Sequence, residues 1–272
     1  MTSFTSNGIA YDREGPRGEL PIVFIHAGVA DRRMWEPAWP ALAGERDVVR
    51  LDLRGFGDSA AHPTGPVSPA DDVLEALAEI GVDRAHLVGA SMGAGVAVEA
   101  TLAGPATVAS LLLAAPAGAL RAEIKPGLQA FIDEEGAALE RDDLDGAVEA
   151  NLSWWVDGPG QPRDRVDPAV RELVARMQRR AFEVTGDWDD VEERELEPPA
   201  LDRLGEISVP VLVLVGGLDL DAVHEAAGRV AAGVAGARRV DWPDVAHLPS
   251  LERPAQFLDL LRAWAVEPVV TS

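Results

Sequence analysis

The chain is constrained most by six short apolar runs, each bounded by turn residues. They are PIVFIH (21–26), DVVRLDL (47–53), AHLVGA (85–90), SLLLAA (110–115), PVLVLVGG (210–217) and RRVDW (238–242). Runs of Val, Leu and Ile without strict alternation suit strands buried on both faces, as in a parallel sheet. Parallel neighbours need long crossovers, and helical patterns lie between several of the runs. Ser68-Pro69-Ala70-Asp71 opens one such helix: Ser68 can cap it, Pro69 fits its first position and the early acids suit its dipole. Val73, Leu74, Leu77 and Ile80 fall on one face, and Gly81 ends it. Segments 222–233 and 254–266 read as further helices. The alternation predicts a doubly wound α/β sheet. At the N-terminus, TSFTS and IAYD flank Asn7-Gly8, which predicts a hairpin over 2–12 closed by a two-residue turn.

One segment breaks the alternation. Residues 117–207 hold helical patterns such as AVRELVARMQRRAFEV, no good strand, and more acidic than basic side chains. We read 1–116 and 208–272 as the α/β core and 117–207 as a mostly helical lid inserted over the carboxyl ends of the strands.

Composition excludes several classes. There is no cysteine among the 272 residues, hence no disulfide, thiolate metal site or cysteine nucleophile. A net charge of −22 disfavours a nucleic-acid partner. No apolar run reaches membrane-spanning length, so no membrane partner is expected. The opening MTSFTSNGIA lacks a signal-peptide pattern, and a cytoplasmic location is expected. No metal motif is present and no cofactor is implied. The oligomeric state is left open.

The stretch HLVGASMGAGVAVEA (86–100) carries the chemistry. Gly89-Ala90-Ser91-Met92-Gly93 matches G-x-S-x-G, with a strand pattern before it and helix formers after it. A strand-to-helix turn this sharp makes flanking side chains collide, and the two glycines relieve that. The serine oxygen is pushed into open space at the sheet's end, beside the amides that begin the helix. A serine needs a base. Of five histidines, His62 lies in a Pro- and Gly-rich loop, His86 starts a strand away from its carboxyl end, and His224 sits in a helix. His247, in DWPDVAHLPSLERP between the last strand and the last helix, falls at the carboxyl edge of the sheet. The base needs a carboxylate to hold its tautomer. Asp219 and Asp221 both follow PVLVLVGG. Asp219 comes sooner after the strand, whereas Asp221 suits a cap for the helix near 222. The order is then Ser…Asp…His.

Over nearly its full length the sequence resembles the α/β-hydrolases. FIHAGVADRRMW (24–35) is similar to the family's His-Gly oxyanion loop, DLRGFGDS (52–59) to its D-x-R-G-x-G-x-S block, GASMG to its elbow, and GGLD and VAHLPSLERP to its acid and histidine loops. The resemblance implies an α/β-hydrolase fold with a mostly parallel sheet flanked by helices. It implies Ser91, Asp219 and His247 as a catalytic triad and the backbone amides of Met92 and Gly28 as an oxyanion hole. Ala27 stands where relatives often have glycine, which a negative φ would accommodate. His26, Asp52 and Arg54 are expected to brace loops. Related dehalogenases and epoxide hydrolases use aspartate where Ser91 stands.

The expected activity is that of a serine hydrolase acting on a small-molecule ester, lactone or similar acyl substrate through an acyl-enzyme. The same residues would suit a cofactor-free perhydrolase or a carbon–carbon bond hydrolase, and a non-catalytic receptor on this scaffold is the third reading. Trp154, Trp155, Met177 and Phe182 are candidate pocket-lining residues, with ordinary core packing the competing role for each.

Overall fold

The computed structural model describes residues 2–194 and 196–265. Its eight strands are β1 (Ser3–Phe4), β2 (Ala10–Glu14), β3 (Ile22–Ile25), β4 (Val48–Leu51), β5 (Ala85–Ala90), β6 (Val108–Ala114), β7 (Val211–Gly216) and β8 (Arg238–Trp242). They form one sheet in the order β1-β2-β4-β3-β5-β6-β7-β8. From β4 to β8 every pairing is parallel, and only the β1–β2 and β2–β4 pairings are antiparallel. This is an α/β-hydrolase fold. β3 through β7 are buried along their whole length, as unbroken Val/Leu/Ile runs require.

β8 departs from that expectation. Three of its five residues are exposed, because it is the sheet's edge. Its Arg and Asp side chains suit an edge that must not pair with another chain.

The N-terminal hairpin also differs in its turn. Thr5 pairs with Ile9, and the Gly8 N–H donates to Thr5 O at 3.0 Å, which leaves a three-residue loop. Gly8 has φ +86 while Asn7 is not among the residues with positive φ. A two-residue type I′ turn needs both positive. The observed form is the three-residue loop in which glycine alone takes the left-handed position.

The helices are α1 (Trp39–Glu45), α2 (Pro69–Glu79), α3 (Met92–Ala103), α4 (Pro126–Leu139), α5 (Leu144–Asn151), α6 (Pro168–Thr185), α7 (Asp221–Gly233), α8 (Pro249–Glu252) and α9 (Pro254–Ala265). α2 begins as its sequence dictates, with Ser68 Oγ accepting from Asp71 N at 3.2 Å. The helix expected over 254–266 is α9; Val266 lies outside the described residues. α9 is pinned to the sheet through Phe257, which stacks on Trp35, itself against Phe24. Between β6 and β7 lie α4, α5, α6 and a π-helical turn over Leu152–Asp157, without a sheet strand among the described residues.

The strand order fixes the functional region. After β3 the chain crosses to β4 on one side, then returns to place β5 on the other. Loops leaving the carboxyl ends of β3 and β5 therefore diverge and leave a crevice between them, the usual ligand site in such sheets.

Candidate active site

Ser91 joins β5 to α3 with φ 53 and ψ −118, a conformation rarely adopted by a side-chain-bearing residue. Its backbone is clamped on both sides. Ser91 N donates to Ala114 O at 2.8 Å, and Ser91 O accepts from Ala94 N at 2.9 Å and Ala117 N at 3.2 Å. The flanking glycines are required by close approach rather than by their own φ. A Cβ on Gly93 would lie 2.5 Å from Ile25 O and closer still to His26 O. One on Gly89 would lie 2.7 Å from the Ala94 Cα. The elbow is thus pressed onto its own helix and onto the end of β3.

A second pair of glycines brings two loops together. Gly216 and Gly217 abut the backbone of 243–246, where a Cβ on Gly217 would lie 2.6 Å from Pro243 O. Gly217 N donates to Trp242 O at 2.8 Å and Leu218 N to Val245 O at 2.9 Å. The loop after β7 is therefore laced to the loop after β8, and Asp219 meets His247. His247 Nδ1 lies 2.8 Å from Asp219 Oδ2, and His247 Nε2 lies 2.7 Å from Ser91 Oγ. A carboxylate can only accept, so Nδ1 carries the proton, and Nε2 is left to accept from the serine hydroxyl. The His247 and Asp219 side chains are 1% and 0% exposed. The other Asp219 oxygen accepts from Leu220 N at 2.8 Å. Asp221 takes no part. It is the first residue of α7 rather than the cap before it, and its Oδ1 accepts from Ala222 N at 2.8 Å.

Met92 heads α3 and Gly28 lies against it, such that a Cβ there would be 3.6 Å from Met92 Sδ. Among the hydrogen bonds of the described residues, neither N–H is spent. Ala27 is not among the residues with positive φ, so it takes the place of a glycine without strain. The loop is held by His26, which is fully buried. Its Nε2 accepts from Leu53 N at 2.9 Å and its Nδ1 donates to Ala27 O at 2.8 Å. Burial holds the His26 pKa below its ordinary value. Asp52 accepts from the backbone of Arg32 and of Asp58 and from the Arg32 guanidinium, while Arg54 forms a bidentate pair with Asp72. The remaining histidines lie elsewhere: His86 contacts Ser110 Oγ, His62 pairs with Asp190 at the surface, and His224 is on α7.

A cavity of about 370 Å³ opens beside Ser91, lined by Gly28 and Met92 from the core and by Trp155 and Phe182 from the helical segment. Trp155 also packs on the His247 ring, with centroids 4.5 Å apart. It is carried by the π-helical turn, a distortion that often marks functional positions. Trp154 and Met177 do not line the cavity. Trp154 Nε1 donates to Glu134, and buried Met177 packs under Asp31. Five polar lining residues carry no sequence motif: Arg121, Glu135, Asn151, Gln178 and Thr185. Asn151 Nδ2 donates to Glu135 Oε1 at 2.5 Å, and burial pushes the Glu135 pKa up. The cavity is tied to His247 by Arg165, which donates to Val156 O, Asp157 O and Glu252 Oε2. Glu252 in turn accepts from Ala246 N.

Fold, elbow and loop order are together those of the α/β-hydrolase class. Residues 22–260 match the model of the Alpha/beta hydrolase family, and the chain belongs to that family. It is 29% identical over 93% of its length to the dihydrolipoyllysine-residue acetyltransferase component of an acetoin cleaving system from Cupriavidus necator, of which it covers 65%. The chain spans less than two thirds of the length of that protein and of its Pseudomonas putida counterpart. It is 25% identical to 3-oxoadipate enol-lactonase 1 of Acinetobacter baylyi, over 97% of this chain and 95% of that one. Among solved structures, an N-acyl homoserine lactone degrading enzyme superposes with a TM-score of 0.72 at 28% identity, over 94% and 96% of the two chains. No helix among the described residues is long and apolar enough to cross a membrane.

Proposed function

We propose that this chain cleaves a small-molecule ester or lactone through a Ser91–His247–Asp219 triad and a covalent acyl-enzyme. The observation that carries the reading is the unbroken chain from Asp219 Oδ2 to His247 to Ser91 Oγ, at 2.8 and 2.7 Å, on an elbow with φ 53. His247 Nε2 takes the serine proton as Oγ attacks the carbonyl carbon. Charge then develops on the carbonyl oxygen, which the unspent N–H groups of Met92 and Gly28 receive. The imidazolium is stabilised by Asp219 and returns its proton to the leaving oxygen, which departs as an alcohol or as the opened end of a lactone. Water, deprotonated by the same nitrogen, attacks the acyl-enzyme and releases the acid and Ser91. The helical segment 117–207 acts as the lid of this site, supplying Trp155 and Phe182 to the acyl cavity. Relatives described as an enol-lactonase and a lactone-degrading enzyme support an acyl substrate of this size.

The test is covalent. A fluorophosphonate probe should label the native chain at Ser91. Ser91→Ala should abolish labelling and reduce kcat on a short acyl ester by several orders of magnitude, up to about 10⁶. Near wild-type hydrolysis by that variant would overturn the mechanism.

A further inference from the structure

Resting on the acyl-hydrolase reading above, we propose that the substrate carries a carboxylate remote from its scissile carbonyl, and that Arg121 binds it. Arg121 lines the same cavity as Ser91. It follows the short turn Gly118–Leu120, which packs against the elbow: Ala117 N donates to Ser91 O, and a Cβ on Gly118 would lie 3.3 Å from the Met92 Cα. Its backbone is therefore set on a support fixed relative to the nucleophile, and its side chain is exposed at the cavity.

Arg121 is the arginine that lines the Ser91 cavity, and among the described residues no carboxylate pairs with it. The chain has 46 acidic against 24 basic residues, so carboxylates are abundant. In the same helical segment Arg165, Arg171, Arg176 and Arg179 each have a carboxylate within ion-pair distance, whereas Arg180, outside this cavity, donates to the backbone Gly57 O. Among the described residues Arg121 has none, and its recorded hydrogen bond is a long one, 3.5 Å from Nε to Gly118 O. A guanidinium is a planar, permanently charged fork that matches a carboxylate in two parallel hydrogen bonds. Glu135, the acid in this cavity, is engaged by Asn151 rather than by Arg121. A second group lacks a partner too. Gln178 is 6% exposed and lines the cavity, and its side-chain oxygen has no hydrogen-bond partner. The cavity thus joins an apolar wall to polar groups that suit a ligand with polar atoms away from the reacting carbonyl. Its volume of about 370 Å³ lies at the small end of the ~300–1,000 Å³ usual for ligand pockets, which suits a short acid. The chemical class is a hemiester of a short dicarboxylic acid or a lactone bearing a free carboxylate.

The experiment compares methyl hemiesters of glutarate and adipate with methyl esters of monocarboxylic acids of matching chain length, by proton release. Wild type should favour the hemiesters by about tenfold to a hundredfold in kcat/KM, the range expected of hydrogen bonds to a charged group. Arg121→Gln should collapse that ratio towards one, chiefly by raising the hemiester KM, and Arg121→Lys should retain part of it. Fluorophosphonate labelling runs alongside on every variant. If wild type labels at Ser91 but shows no preference for hemiesters, or hydrolyses none, the anion assignment is overturned while the nucleophile stands. An unchanged ratio in a labelling-competent Arg121→Gln also overturns it. If Ser91 fails to label and no ester is cleaved, the underlying hydrolase reading fails first, and this assignment with it.

Discussion

Gly93→Ala tests whether close packing of the elbow on β3 sets the geometry of the site. The new Cβ would sit 2.5 Å from Ile25 O and nearer to His26 O, both backbone atoms at the end of a fully buried strand. Ordinary contact is ~3.4 Å or more, so relief needs a shift of about 1 Å between α3 and the end of β3. No flexible side chain can absorb it. Overpacking of this kind is worth roughly 1–3 kcal/mol. At ~2.1 cal/mol/K per residue this lowers Tm by about 2–5 °C for a chain of this length. The same shift separates the Gly28 N–H from the Met92 N–H, which ride on the two elements being pushed apart. A misplacement near 1 Å costs about 10²-fold in rate. We expect differential scanning calorimetry to show the Tm loss and steady-state kinetics to show the loss mainly in kcat. Gly136→Ala is the matching control. It lies within α4 with nothing within 4 Å of its would-be Cβ, so it should leave Tm unchanged or raise stability by about 0.4–1 kcal/mol. A Gly93→Ala variant with wild-type Tm and kcat would refute the argument that the glycine is demanded by contact.

The two acids after β7 separate by rate. Asp219→Asn should present an amide N–H to His247 Nδ1, favour the wrong tautomer and lower kcat by about 10⁴-fold, whereas Asp221→Asn should lower it little; the reverse ranking in steady-state assays would move the acid to Asp221. His26 gives a pH signature. Its pKa is lowered from 6.5 by burial, so the folded state resists a proton that the unfolded chain accepts. Its contribution is complete above pH 6.5 and is lost as pH falls below that value towards the lowered folded pKa, at up to about 1.4 kcal/mol per pH unit for one proton. Urea titrations between pH 7 and 5 should show a shallower acid decline in His26→Gln than in wild type, and equal slopes would remove His26 from the acid response.

Much of the framework was legible because it rests on local rules. Unbroken Val/Leu/Ile runs mark β3 to β7, since a strand covered on both faces has no solvent side on which to place polar residues. RRVDW breaks that rule because β8 has only one neighbour, and a run this charged could have been read as an edge. The Asn7-Gly8 turn was misjudged for a different reason. The dipeptide suits a two-residue loop, but Thr5 and Ile9 close the hairpin one residue further out, and pairing set the loop length. Ser91 and His247 were legible since each lies in a loop leaving the carboxyl end of a strand. Gly216-Gly217 was a signal left unused: two glycines after a strand announce a close backbone approach, and that approach delivers Asp219 to His247.

The cavity wall was far less legible, and the cause is physical. Trp154 and Trp155 are adjacent, so on a regular helix they stand about 100° apart and composition cannot choose between them. A π-helical turn sets their directions, giving Trp155 to His247 and the cavity and Trp154 to Glu134. Met177 and Gln178 are likewise neighbours on α6, where apolar character favours Met177 as a pocket residue. The structure seats Met177 against the Asp31 backbone and turns Gln178 to the cavity. Arg121 is one arginine among many in an acidic segment. Only its surroundings distinguish it, because whether a charge is answered depends on residues brought near by the fold rather than by the sequence. The candidate triad is thus written in short motifs tied to strand ends, whereas the cavity wall is set by side chains that only the fold brings together. That division is why the hemiester preference must be tested at Arg121 and cannot be inferred from the elbow.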